Sequence, residues 1–272
     1  MSLDNTGCTP ILRTTIFCGM KLAELDEHLR DVLRTEEFAR VDRSMNGLQV
    51  GRADTEIQKV GVAVDAAQAT IDRAVALGVD MLFVHHGFFW GSPIAVTGTH
   101  YSRIKTLLDA DIALYAAHLP LDAHETLGNN AQMAQKLALT DLSPFGIYKG
   151  VPIGWSGTLA QPRTLAGVAD ELFGGTDALL GTLPMGKQEN ATVAIVSGGA
   201  PESAREAAAL GIDLFITGDA SHVIYHDCME AGINVMFGGH YNTEVWGVRA
   251  VGEHLKQTFG IEQVFIDIPT GL

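Results

Sequence analysis

Residues 81–90 read MLFVHHGFFW: four apolar residues, two adjacent histidines, a glycine and three aromatics. An apolar run this short, flanked by turn signals, predicts residues 81–84 as a strand of a parallel sheet covered on both faces. His85 and His86 then stand where that strand ends. Side chains alternate along a strand, so the two imidazoles are expected to diverge toward different partners as the chain opens into the turn at Gly87. A lone histidine here reads as a hydrogen-bonded structural residue. A pair favours a site, because the carboxyl ends of strands line the ligand crevice of open α/β sheets.

Working outward, the stretch leading into this strand recurs. Residues 74–84 (AVALGVDMLFV) match residues 207–217 (AAALGIDLFIT) in pattern and nearly in identity, and the preceding strands at 59–64 and 192–197 correspond as well. Self-similarity of this kind points to a duplicated βαβ unit, although a common helix-Gly-strand junction could mimic it over so short a span. The rest follows the same rhythm. Helices are expected at 67–77, 102–108 and 129–139, and strands at 60–64 and 112–116. Such alternation implies βαβ units and a mainly parallel sheet. Upstream, Leu22, Leu25, Leu29, Val32 and Leu33 are spaced for one helical face. Asn46-Gly47 by itself reads as a turn.

The fold class is therefore α/β, with two similar βαβ-containing halves. Residues 20–142 form the first half and 190–272 the second, joined by a Pro-containing connection at 143–189 whose role the sequence does not give. Residues 1–19 lack both helical period and the form of a secretory signal, and read as a disordered or non-native leader, with Met20 as the expected natural start.

Each half then offers a second donor group after an apolar strand, His118-Leu119-Pro120-Leu121-Asp122 in the first and His240-Tyr241-Asn242-Thr243-Glu244 in the second. Where the chain turns into a helix, a spacing of four puts imidazole and carboxylate on one face. With His85 and His86 these groups supply five or six nitrogen and oxygen donors, enough for two divalent ions. Taken singly each has an ordinary alternative: His118 as a strand-end residue, Asp122 as a helix cap near Thr126, Glu244 as a solvated first-turn acid. The remaining six histidines fall in helical or loop settings and read as surface or core residues.

Composition bounds the partners. A net charge of −14 argues against a nucleic-acid polymer or an acidic membrane surface. No run approaches the roughly 18 to 20 apolar residues of a membrane helix. Cys8, Cys18 and Cys228 form no CxxC pair, which suits a reducing, cytoplasmic setting and leaves sulfur out of any metal site.

Five ordered motifs also carry a resemblance. Asn46-Gly47-Leu48-Gln49-Val50, Val84-His85-His86-Gly87, His118 to Asp122 with Gly128-Asn129-Asn130, Thr217-Gly218-Asp219, and Gly238-Gly239-His240 to Glu244 together resemble the Nif-three-like family of dinuclear-metal proteins. Its bacterial members include the YbgI group and are often called GTP cyclohydrolase 1 type 2 homologues. The likeness runs from about Met20 to Pro269. It implies two α/β halves facing each other across a metal site, with two ions held by His85, His86, Asp122, His240 and Glu244, Glu244 bridging them and His118 just outside the ligand set. It further implies a ring-shaped homohexamer and a small-molecule substrate, a nucleotide among the candidates. Asp219 departs from members that carry glutamate there, at a position not expected to touch a ligand. Iron, zinc and manganese all accept such donors. Paired cations acidify a bridging water and polarise a carbonyl, imine or phosphoryl oxygen, so the implied reaction is hydrolysis, with ring opening of GTP as the named case. No Gly-x4-Gly-Lys-Ser/Thr phosphate loop accompanies it, and a non-catalytic metal-binding or protein-interaction scaffold stays open.

Overall fold

The computed structural model describes residues 19–272. The leader read over residues 1–19 thus lies, apart from Gly19, outside the described residues. Two large sheets organise the rest. In the first the order is Glu262–Phe265, Lys59–Asp65, Met81–His86, Ala113–Ala116, Gly47–Val50, parallel except for the last pair. In the second, Asn190–Val196, Leu214–Thr217 and Asn234–Phe237 run parallel at the centre. Val151–Arg163 and Thr140–Tyr148 flank them on one side and Gly181–Pro184 on the other, all antiparallel.

The continuous apolar runs have a direct cause. Met81 and Phe83 enter one core while Leu82 and Val84 enter another on the opposite face. Phe215 and its neighbours Leu214 and Ile216 divide in the same way. With both faces dry there is no polar alternation to see.

The repeated stretches occupy equivalent places. After the helix Gln68–Leu77 the chain turns on Gly78 at φ 61°, and after Ala204–Ala209 on Gly211 at φ 71°, both left-handed and open to glycine at little cost. Two residues further on, an aspartate then ties down the start of the preceding strand. Asp80 accepts the N–H groups of Gln58 and Lys59, each at 2.8 Å. Asp213 accepts those of Ala191 at 2.9 Å and Thr192 at 3.1 Å.

Tertiary packing redraws the expected boundaries. Residues 143–189 are no separate connection, since the hairpin Thr140–Tyr148/Val151–Arg163 and strand Gly181–Pro184 belong to the second sheet. Nor do residues 190–272 stay in the second half. The long helix His240–Phe259 sends Val248, Val251 and Leu255 into the first core, and Glu262–Phe265 then pairs with Lys59–Asp65. In exchange Asn129–Lys136 of the first half puts Met133 and Ala134 into the core of the second. Each half lends a helix to the other, and the candidate site lies where they cross.

Smaller differences have local reasons. The segment after Asn46 is the edge strand Gly47–Val50 rather than a bare turn, because Ala113–Ala116 offers it an antiparallel partner. Leu22–Leu33 buries Leu22, Leu25, Leu29 and Leu33, while Val32 sits at the margin of that stripe. Met81–His86 extends two residues further than its apolar run because Asp65 still pairs with His86.

Candidate metal centre

Four imidazoles and two carboxylates meet at the carboxyl ends of the strands. His85 Nε2 lies 3.4 Å from Glu244 Oε1 and 3.5 Å from Asp122 Oδ2. His86 Nε2 is 3.3 Å from Glu244 Oε2, and His240 Nε2 is 3.2 Å from Glu244 Oε1. The ring tips of His85 and His86 were expected to diverge. Instead both face Glu244, one at each oxygen. Three overlapping groups result, each with ligand atoms within 4.8 Å of one another: His85, Asp122 and Glu244; His86, His240 and Glu244; and His85, His86 and His118. Glu244 is shared by the first two, as a bridging carboxylate requires.

Every imidazole is held from behind at Nδ1. His85 Nδ1 donates to the Ala117 carbonyl at 2.9 Å, so a neutral ring presents its Nε2 lone pair to the centre. His86 is held by Asp65 at 2.8 Å, His240 by Asp219 at 3.0 Å and His118 by Asp42 at 3.0 Å. Partners of this kind fix tautomer and ring orientation in metal sites. Asp219 thus does touch a candidate ligand, which corrects the expectation for that position. Its spacing from His240 along the chain gave no hint, because only the parallel pairing of neighbouring strands brings the two loops together.

The acids are equally constrained. Asp122 sits in the short helix Leu119–Ala123 and caps nothing; its Oδ1 accepts from Asn129 Nδ2 and Ser197 Oγ, both at 2.9 Å, which leaves Oδ2 toward His85. Asn129 is oriented in turn by the Gly247 N–H, 2.7 Å from its Oδ1. Glu244 is 3% exposed, so it is no solvated first-turn acid. Its i,i+4 relation to His240 holds as the spacing predicts. The matching relation of His118 to Asp122 does not, because His118 precedes its helix and turns to Asp42. Gly198, at φ 63°, closes the floor: a Cβ there would lie 2.3 Å from Glu244 Oε1.

Electrostatics couple the imidazoles to the carboxylates. Burial alone would lower the His85 pKa, but Asp122 and Glu244 overcome it and push it up to about 10. The Glu244 hydrogen bond, against burial, raises His240 to about 9, with help from Asp219. Burial would raise Glu244, yet His85 and His86 hold it well below the usual carboxylate range. The charges do not complete the hydrogen bonding, however. Among the described residues His85 Nε2 and Glu244 Oε2 remain buried without a partner. Such orphans are costly, and a cation between an imidazole lone pair and a carboxylate satisfies both. The residues present therefore fit a metal.

All five residues expected as metal ligands come together, and His118 joins them more closely than its expected outlying position. Sequence reasoning missed Asp42, Asp65, Ser197 and Gly198, which are single polar or small residues with no spacing signal. Beside the cluster opens a cavity of about 710 Å³, lined in part by His118, Asp122, His240 and Glu244. No helix among the described residues is long and apolar enough to cross a membrane.

The chain is similar to known proteins along most of its length. A protein of Deinococcus radiodurans named GTP cyclohydrolase 1 type 2 homolog is 43% identical over 249 residues, 92% of this chain and 94% of that one. The crystal structure of TTHA1606 from Thermus thermophilus superposes with a TM-score of 0.84 at 41% identity, covering 93% of this chain and 100% of that one. The ybgI protein, described as of unknown function, matches with TM-score 0.84 at 36% identity and the same coverage. The model of the family Duf34/NIF3 (NGG1p interacting factor 3) matches residues 20–271, nearly the whole of this sequence, and the chain belongs to that family.

Proposed function

We propose that this protein is a hydrolase dependent on two divalent metal ions, with ring-opening hydrolysis of GTP as the candidate reaction. The observation that carries the reading is the buried, partnerless pair of His85 Nε2 and Glu244 Oε2 inside a cluster that shares Glu244 between two donor groups. His85 and Asp122 would hold one ion, His86 and His240 the other, and Glu244 both. Iron, zinc and manganese suit this mixture of imidazole and carboxylate. Paired ions would supply an acidified water and a Lewis acid that polarises the carbonyl, imine or phosphoryl group under attack. The chain's own part is to fix the ligands through Asp65, Asp219, Ala117 and Asn129, and to admit substrate through the adjoining cavity. The name of the Deinococcus relative supports GTP as the first substrate to test. A cytoplasmic, homohexameric protein completes the proposal, on the resemblance and cysteine usage.

A second reading has its own support: the metal ligands come from both halves at the crossing of the exchanged helices, as expected of ions that lock a non-catalytic scaffold together. Turnover separates the two. Protein loaded in turn with each metal is assayed against GTP, phosphoesters and cyclic amides. Metal-dependent product that disappears in Glu244→Ala supports the hydrolase; tight metal binding with no product across the panel supports the scaffold.

A further inference from the structure

Beyond the metal ligands, the cavity has one wall whose chemistry nothing so far accounts for. Trp90 follows the ligand His86 by four residues, and its indole N–H donates to the Gly87 carbonyl at 3.1 Å, which fixes the ring in place. His118 meets the indole in a T-shaped arrangement, with ring centroids 4.9 Å apart and planes at 75°, and His86 lies 5.9 Å away. Yet the residue stays 37% exposed. A large aromatic held rigid beside a metal centre, with surface left open to a cavity, is a stacking platform without its ring.

Arg43 shares that wall. A Cβ on Gly91 would lie 3.1 Å from the Arg43 carbonyl, so the two loops abut, and both Trp90 and Arg43 line the cavity. The other lining cation, Arg205, is committed to Asp227 at 2.6 Å. Among the described residues Arg43 forms no ion pair. Of the lining acids, Asp42 is engaged by His118, and Asp122 and Glu244 belong to the candidate metal cluster. The carboxylates of Glu202 and Glu206, on the opposite half, would disfavour an anion on their own side, that of Glu206 even while it accepts the Ile147 N–H at 3.2 Å.

We infer that Trp90 and Arg43 are the specificity-determining residues of this site: a flat-ringed ligand stacks on Trp90, and its anionic group is held by Arg43. The inference rests on the proposed metal site only for its location. A volume of about 710 Å³ suits a ligand of nucleotide size rather than a simple phosphoester or amide. Stacking would place the flat ring beside His86, next to the residues that would hold the ions. Guanidinium is the better partner for a phosphate or carboxylate than ammonium would be, because of its forked donors.

The test is binding to metal-loaded protein, read by equilibrium dialysis without any turnover. Guanosine 5′-monophosphate is compared with guanosine, which lacks the anion, and with ribose 5-phosphate, which lacks the ring. The nucleotide should bind best. Trp90→Ala should weaken it about 5- to 150-fold, the range of base-on-aromatic stacking, while Trp90→Phe retains it within about threefold. Arg43→Ala should bring nucleotide and nucleoside together. Metal content of each variant verifies that the centre is intact. Equal binding of ribose 5-phosphate and the nucleotide by the wild type, an unaffected Trp90→Ala, or no binding of any probe would overturn the inference. Ring- and Trp90-dependent binding without hydrolysis of any substrate would sink the hydrolase reading and leave this one standing.

Discussion

Metal binding by this site should be strongly driven by pH well above the ordinary histidine range. In the metal-free protein His85 titrates at about 10 and His240 at about 9, raised by Asp122, Glu244 and Asp219. At neutral pH both rings therefore carry protons that occupy the Nε2 positions a metal needs. Loading must expel them, so affinity falls as pH falls, about tenfold per pH unit for each proton displaced. With two protons the slope is about a hundredfold per unit between about pH 6.5 and about pH 8. Ordinary imidazoles, titrating near about 6.5, would give a nearly flat profile above about pH 7. Isothermal titration of zinc into metal-free protein, repeated in buffers of different ionisation enthalpy, counts the protons directly. About two should be released at about pH 7. Glu244→Gln removes the carboxylate that raises both rings and should flatten the slope while weakening binding. A flat affinity above neutral pH with heat independent of buffer would refute the reasoning.

Other expectations follow from single contacts. Glu244→Ala should abolish binding of both ions together, and loss of only one, by metal analysis, would exclude a bridging role. Asp219→Asn leaves the His240 ring poorly oriented and should weaken metal affinity about 10- to 100-fold, with an unchanged melting curve of the metal-free protein as the control for folding. Gly198→Ala drives a Cβ against Glu244 Oε1 from a left-handed backbone at φ 63°; a loss of about 1 to 3 kcal/mol in urea unfolding, together with lower metal content, is expected. Asp80→Ala and Asp213→Ala each strip the acceptor from two backbone N–H groups. Each should cost about 1 to 3 kcal/mol, and a negligible effect at one site would break the equivalence of the two halves.

Period and composition made much of this legible. Buried parallel strands announce themselves as unbroken apolar runs because both faces are covered, and the recurring helix-Gly-strand stretch falls once in each large sheet. His85, His86, His118, Asp122, His240 and Glu244 were visible as candidate donors because each lies at or soon after the end of such a strand, where side chains leave the core and reach the crevice; the family resemblance singled out five of them. The exchange of helices between the halves was not visible. An amphipathic helix such as His240–Phe259 states that it must bury one face, not whose sheet will cover it, and the same holds for Asn129–Lys136. The hairpin from Thr140 to Arg163 likewise looked like a connection until a sheet edge was there to receive it.

What the sequence determined alone is the buried parallel strands, the amphipathic helices between them and the donor atoms at their ends, since these depend on neighbours a few residues apart. Tertiary structure alone decided which donors converge and what stands behind them. The pairing of Asp65 with His86, Asp219 with His240 and Asp42 with His118 joins residues far apart in the chain. Hydrogen bonds a few ångströms long depend on strand register and loop approach, and no periodicity in the sequence encodes those distances.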